Sequence, residues 1–330
     1  MRLILVIPRN DNSAPAKVAK VVYERIHKKY SNSEVMVSRG GSGAFILKFI
    51  RLAITKEPVL VWTHQLPSDL MGYMLSLLGN VVWVSTIHND IEQISKELFG
   101  NNHKIVSTIW LRILRNSKAC TVLSNFFKDQ LLNYSIKNLH VIPNTVSIAK
   151  PNVDVLTKAM STDLSIIAVG RLVPLKQYDQ FVNLASMNVN LPFKIVGEGS
   201  EEDYLQKLVV NSGISNIEFL GFNSSWYSEY ANNAILVITS RTEGFPLVAL
   251  EALANGIPLL LPDLPQLKCI NWYNAASFYE ANNLTSLNLA LREMLTNRSV
   301  MSISALHVFK NLYSPDIIAN KYESVFDSLA

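Results

Sequence analysis

The stretch AILVITSRTEGFPLVALEALANGIPLLLP, residues 234–262, carries the first decision about the fold. AILVITS (234–240) and IPLLLP (257–262) are apolar along their length rather than alternating, as strands covered on both faces of a parallel sheet must be. PLVALEALANG between them is rich in helix formers. It opens on a proline, whose missing N–H is harmless in a first turn, and closes on Asn255-Gly256, a helix stop. Strand, helix and strand in this order predict a βαβ unit.

The same alternation extends in both directions. Downstream of the midpoint, LSIIAVG (164–170), PFKIVG (192–197) and IEFLG (217–221) read as strands. QYDQFVNLASM and EEDYLQKLVVNSG read as helices. In the front half the strands are LILVIP (3–8), EVMVS (34–38), VLVWT (59–63), VVWVST (81–86), ACTVLS (119–124) and LHVIP (139–143). Helical patterns there include APAKVAKVVYERIHKKY, AFILKFIRLAITK and NFFKDQLLNY. The chain therefore predicts an α/β protein of two doubly wound, Rossmann-like domains. Its 330 residues are too many for one ordinary domain and enough for two. The expected boundaries are a first domain over 1–145, a Pro-, Asn- and Ser-containing linker over 146–163 and a second domain over 164–312. Two helices parted by Ser314-Pro315 are expected from Ser299 onward, and the return of 313–330 to the first domain is one option.

Composition narrows the class. With 49% hydrophobic and 17% charged residues, the chain is neither disordered nor low-complexity. Cys120 and Cys269 fall in different halves and cannot build a disulfide framework or a metal cluster, which suits a reducing compartment. The opening MRLILVIPRND has too short an apolar run for a signal peptide and reads as a first strand; no membrane-spanning run is expected. The net charge of +4 hides an asymmetry: residues 1–150 hold 19 Lys/Arg against 9 Asp/Glu, and residues 151–330 hold 11 against 17. The two halves are thus expected to meet different partners.

Two segments can carry chemistry. In SRTEGFPLVALE, Glu243 and Gly244 follow a buried strand, and the N–H groups that open the next helix make an anion site. Glu251 lies two turns further on. A carboxylate beside an anion site repels phosphate unless it holds something else, such as sugar hydroxyls; alone, the pair is equally a capping Glu and a helix-face Glu. In AVGRLVPLKQ, Arg171 and Lys176 follow the strand that ends at Gly170. A guanidinium fork and a point charge there can clamp a diphosphate, although singly they read as surface cations.

Together these segments resemble retaining glycosyltransferases of family 4, which have the GT-B fold of two Rossmann-like domains facing a central cleft. The resemblance rests on Gly170-Arg171…Lys176 and Glu243…Glu251 in that order, with VIPNTV (141–146), IVGEGS (195–200) and FLGF (219–222) around them. It implies that Arg171 and Lys176 neutralise a donor's diphosphate, that Glu243 holds the donor sugar and that Glu251 holds the ribose. It further implies that backbone N–H groups around Gly244, Phe245 and Leu247 surround the phosphates, and that Gly197, Glu198 and Gly199 pass near the nucleotide. That last turn is no dinucleotide fingerprint, because position 202 is Glu. His88 in VVWVSTIHND, just past a buried strand, matches a family histidine near the reacting sugar. Asn89 and His64 are weaker acceptor-side candidates, and Asp90 reads as a helix cap. One departure is PRNDNSAPAK after the first strand, which lacks the family's glycine pair, while Gly40-Gly41-Ser42-Gly43 follows the second.

The implied reaction moves a sugar from a nucleotide diphosphate, a UDP-sugar above all, to a lipid-linked or oligosaccharide acceptor in bacterial surface polysaccharide synthesis. Retention without a covalent nucleophile, by front-face displacement, and independence of metal follow from the resemblance; no Asp-x-Asp motif is present. Basic groups alternating with large apolar residues suit the cytoplasmic face of an anionic membrane: Lys17, Lys20, Arg25, Lys28 and Lys29; Lys48, Arg51 and Lys56 with Phe45 and Phe49; and Lys104, Arg112, Arg115 and Lys118 with Ile105, Trp110, Leu111 and Leu114. No nucleic-acid motif accompanies them. Two rival readings are a UDP-sugar 2-epimerase-like isomerase, which needs no acceptor, and a non-catalytic nucleotide-sugar-binding protein, which tolerates loss of Glu243 and Arg171.

Overall fold

The computed structural model describes residues 1–7, 13–30, 32–38, 54, 57–148 and 164–329. The loop after the first strand, the Gly40–Gly43 stretch, the Lys48–Lys56 basic group and most of the expected linker lie outside these residues. The chain divides into two compact units, one of residues 1–147 with 313–330 and one of residues 148–312.

Unit 1 is built on a six-stranded parallel sheet: β1 (Arg2–Ile7), β2 (Glu34–Val37), β3 (Val59–His64), β4 (Val81–Ile87), β5 (Ala119–Val122) and β6 (Leu139–Val141), in spatial order 2-1-3-4-5-6. The central apolar runs are covered on both faces as expected, with Leu3 to Ile7 and Val59 to His64 buried throughout, whereas β2 and β6 at the sheet edges are only partly buried. The crossovers include α1 (Ala14–Ile26), α2 (Leu66–Ser76), α3 (Ile91–Phe99), α4 (His103–Leu114) and α5 (Asn125–Asn133). Asp90 caps α3 by accepting from Gln93 N at 2.8 Å, so its carboxylate satisfies an end N–H that the helix cannot.

Unit 2 repeats the plan with β7 (Ser165–Val169), β8 (Phe193–Val196), β9 (Ile217–Phe219), β10 (Ala234–Val237), β11 (Leu259–Pro262) and β12 (Ala276–Tyr279), all parallel, in order 12-11-10-7-8-9. The helices α6 (Tyr178–Ser186), α7 (Glu202–Asn211), α8 (Leu247–Ala254) and α9 (Leu284–Val308) pack around a core that joins Ile166, Ile235 and Leu260 to Phe181, Leu287 and Leu291. β12 was not foreseen. Nor was the length of α9: it starts at Leu284, where Asn283 accepts from Ser286 N, and runs through Ser299 without a break.

The last helix, α10 (Pro315–Asp327), belongs to unit 1. Ile318, Tyr322 and Phe326 are buried in the core formed by β1, β3 and α1. Trp62 meets Tyr322 and Phe326 with ring centroids 4.7 and 5.5 Å apart. Along the outside, Arg25 pairs with Asp316 at 3.0 Å, and Lys29 with Asp327 at 2.7 Å and Glu323 at 3.7 Å. Two cations that the sequence offered to a membrane are thus engaged by the chain's own carboxylates. Counted by unit, Lys/Arg against Asp/Glu is 19 to 12 in unit 1 and 11 to 14 in unit 2. The asymmetry survives, but at +7 and −3 it is milder than the split at residue 150 suggested.

Candidate active site

In a doubly wound sheet, ligands bind beyond the carboxyl ends of the strands, where the strand order reverses direction. In unit 2 that point lies between the neighbours β7 and β10. The loop after β7 carries Gly170, Arg171 and Lys176, and the loop after β10 carries Ser240, Glu243 and Gly244. The two loops are stitched together: Arg241 N donates to Leu175 O at 2.9 Å, and Thr239 Oγ1 donates to Lys176 O at 2.6 Å.

Across this seam the Lys176 ammonium donates to Glu243 Oε1 at 2.5 Å, and Ser240 Oγ donates to the same oxygen at 2.6 Å. Both partners are largely shielded, with side chains 22% and 10% exposed, so the pair is not an ordinary surface contact. Lys176 reaches this position from a single helical turn, Pro174–Lys176, followed by left-handed Gln177. Tyr178 lies alongside, its hydroxyl held well above its ordinary pKa first by burial and then by the nearby Glu243 charge. A cavity of about 10 Å³, room for one water molecule, sits among Lys176, Tyr178, Ser240 and Glu243. Arg171 is exposed at the same strand end.

The glycines have mainly steric reasons. Gly170 and Gly197 both have φ +145°, and a Cβ on Gly197 would stand 1.9 Å from Gly170 O. A Cβ on Gly199 would stand 2.2 Å from Leu172 O. Gly170 N donates to Val196 O, and Leu172 N to Glu198 O, both at 2.9 Å. The turns after β7 and β8 therefore lie backbone against backbone, which accounts for this glycine spacing without a nucleotide. Glu198 is exposed and accepts from Phe222 N at 3.3 Å.

After β10, Phe245 is buried against Trp272, ring centroids 5.7 Å apart, and anchors the loop ahead of α8. Pro246 stands one position before the helix rather than inside it; Leu247 opens α8 and Gly256, at φ +68°, closes it. Glu251, half-buried on α8, accepts from Trp226 Nε1 at 3.0 Å. Ser240, Tyr178 and Trp226 were not singled out from sequence; Ser240 lies inside the decisive SRTEG stretch, whereas Trp226 gave no signal.

In unit 1, His64 ends β3 and His88 follows β4. Their rings stack at 5.1 Å, and His64 Nδ1 lies 2.8 Å from His88 Nε2. Both are buried, and burial pushes the pKa of each down: His64 well below its usual value, with the neighbouring His88 adding to the effect, and His88 to about 4, partly offset by Asn144. Both rings are therefore neutral at pH 7, with one proton shared across the contact. His64 Nε2 is buried without a hydrogen-bond partner. Asn89 is half-buried beside this pair. A second buried polar group, missed from sequence, is Asp69. It accepts from Thr63 and Ser85 at Oδ1 (2.6 and 2.7 Å) and from Trp110 at Oδ2 (2.8 Å). Burial nonetheless raises it to about 6. Among the described residues no three His, Cys, Asp or Glu side chains gather as metal ligands.

Comparison with known proteins places this geometry in a family. The model of glycosyltransferase family 4 matches residues 2–150, and that of glycosyl transferases group 1 matches residues 156–306. The chain belongs to these glycosyltransferases and has the GT-B fold. It is 27% identical over 251 residues to an uncharacterized glycosyltransferase of Methanocaldococcus jannaschii, a match covering 73% of this chain and 66% of that protein. To the O-antigen biosynthesis glycosyltransferase WbnH of Escherichia coli it is 31% identical over 137 residues, 42% of this chain and 39% of that one. The chain thus spans less than two thirds of the length of either relative. Among solved structures, HepE of Anabaena in complex with UDP and glucose superposes with a TM-score of 0.76 at 14% identity, over 100% of both chains.

Proposed function

We propose that the protein is a retaining, metal-independent transferase. It moves a sugar from a nucleotide diphosphate donor, a UDP-sugar, to a glycan or lipid-linked glycan at the cytoplasmic face of a membrane. The observation that carries this reading is the shielded Lys176–Glu243 pair at the switch point of the second sheet, with Arg171 exposed beside it. Without donor, Glu243 neutralises Lys176. An arriving diphosphate competes for the ammonium, adds the Arg171 fork and frees Glu243 to accept hydroxyls of the donor sugar. Ser240 keeps Glu243 in place through that exchange. As the glycosidic bond breaks, negative charge grows on the leaving phosphate beside two cations and the N–H groups that open α8, which lowers the barrier where charge develops. The acceptor hydroxyl gives its proton to that phosphate and enters from the same face, so configuration is retained. Glu251, steadied by Trp226, receives the ribose hydroxyls. The UDP and glucose in the Anabaena protein and the O-antigen role in the name of the E. coli relative support the donor and pathway classes.

The test begins with a thermal-shift screen of nucleotide sugars, because a true donor stabilises the fold by mass action. The stabilising donor is then assayed with Lys176→Ala and Glu243→Gln, which should each lower transfer by roughly a hundredfold or more while circular dichroism stays unchanged. Near-normal turnover in both variants refutes the site, and epimerisation of the donor without an acceptor refutes the transferase.

A further inference from the structure

The two histidines of unit 1 stand at the carboxyl edge of their sheet, the edge at which doubly wound domains bind ligands. His64 closes β3, a strand at the point where the order 2-1-3-4-5-6 reverses direction. Its ring packs against those of Trp62 and His88, with centroids 4.6 and 5.1 Å away. The backbone that follows is strained. Gln65 has φ +69° and ψ 165°, a combination that is cheap only for glycine. Its carbonyl is pinned by the N–H groups of Ser68 at 3.1 Å and Asp69 at 2.9 Å in the first turn of α2. Strain of this kind persists where the surroundings over-determine a position, and the position fixed here is that of His64.

The hydrogen bonds then decide where the protons lie. Each neutral ring carries one N–H, and the 2.8 Å contact between His64 Nδ1 and His88 Nε2 needs one donor and one acceptor. Were His88 Nε2 the donor, the His64 proton would sit on Nε2, a buried atom with no partner. A buried N–H without an acceptor is the costlier defect; the opposite arrangement leaves only an unused lone pair there. His64 Nδ1 therefore donates to His88 Nε2, and the His88 proton is left on Nδ1. Asn144, which also meets His88, favours its protonated form, as an acceptor facing an N–H does. With Nε2 filled by His64 and Nδ1 protonated, His88 has no lone pair to take a proton from a hydroxyl. What it offers an incoming substrate oxygen, in exchange for Asn144, is an N–H.

We propose that His64 is a positioning residue that holds His88 as the Nδ1–H tautomer, so that His88 serves sugar transfer as a hydrogen-bond donor and not as a base. The consequence for transfer rests on the proposed function, in which the leaving phosphate takes the acceptor's proton. The test is proton–nitrogen correlation NMR of protein labelled with nitrogen-15 histidine, at pH 7.5 and without any sugar, because the ring nitrogens of the two neutral tautomers give different patterns. The two signals are assigned by their loss in His64→Leu and His88→Gln. Both histidines should show Nδ1–H in the wild type, and an Nε2–H pattern at His88 overturns the proposal. His64→Asn keeps an amide N–H near the Nδ1 position, so His88 should stay Nδ1–H; in His64→Leu it should populate both tautomers. A His88 tautomer unmoved by His64→Leu makes the role of His64 merely structural and overturns the proposal. In the transfer assay His64→Leu should lower kcat by about 10-fold with KM little changed, and His64→Asn should restore most of it. Equal loss of kcat in both variants also overturns it. A wild type with the expected tautomers that transfers no sugar refutes the proposed function instead, so the two failures are distinguishable.

Discussion

The buried His64–His88 pair makes unit 1 acid-sensitive, and the size of the effect follows from its geometry. A histidine free in the unfolded chain titrates near 6.5, whereas burial holds His88 at about 4. Between these values the unfolded chain binds a proton that the folded chain refuses, so stability is full above pH 6.5 and falls as pH drops toward 4. The whole gap is worth about 3 kcal/mol, and some 2 kcal/mol of it is lost between pH 7.5 and pH 5. His64, pushed the same way, adds to the loss. Asp69 opposes it: its raised pKa of about 6 makes it costlier to fold at high pH, which returns about 1 kcal/mol on acidification. The clean measurement is therefore a difference between wild type and His88→Gln, which removes the titrating ring and leaves Asp69 in place. Amide hydrogen exchange of β3 and β4 at pH 7.5 and pH 5, corrected for intrinsic rates, reports the stability of unit 1 separately from unit 2. Wild type should lose about 2 kcal/mol more than the variant over this range. Equal losses would refute the reasoning.

Further outcomes follow from packing. Gly197→Ala places a Cβ 1.9 Å from Gly170 O at φ +145°, so unit 2 should lose roughly 3 kcal/mol or more, read as a lowered urea midpoint. Gly72→Ala drives a methyl to within 2.3 Å of the Trp83 indole, and overpacking should lower unit 1 stability by about 1–3 kcal/mol with altered near-ultraviolet circular dichroism. Phe326→Ala empties a fully buried site and should cost about 3–5 kcal/mol, seen as accelerated proteolysis within β1 and β3 while unit 2 stays resistant.

Strand identity was legible because Leu3–Ile7 or Val59–His64 cannot be anything but doubly covered strands; β12, with the short ASFY, carries no such run. A helix is expected to begin at Ser299, yet α9 starts at Leu284 and runs through that position, with Leu291, Met294 and Met301 packed along one core. Lys176 and Glu243 were visible as residue types at strand ends, but their contact spans 67 positions and depends on β7 and β10 being neighbours. The His64–His88 contact arises the same way: β3 pairs with β4 so that His64 stands opposite Thr86, one pleat before His88. Arg25 and Lys29 show the converse. Their charge was plain, but nothing local announces carboxylates almost 300 residues away.

The placement of α10 has a consequence for the order of events during synthesis. Tyr322 and Phe326 close the core around Trp62, yet they leave the ribosome only after all of unit 2 has emerged. The nascent β1–β3 region, covered on that face by α1 alone, must therefore wait with part of it open while a later-made unit, whose own elements are contiguous, is synthesised. The first half to be translated is the last to be finished, and in the interval its open core is a natural client for chaperones.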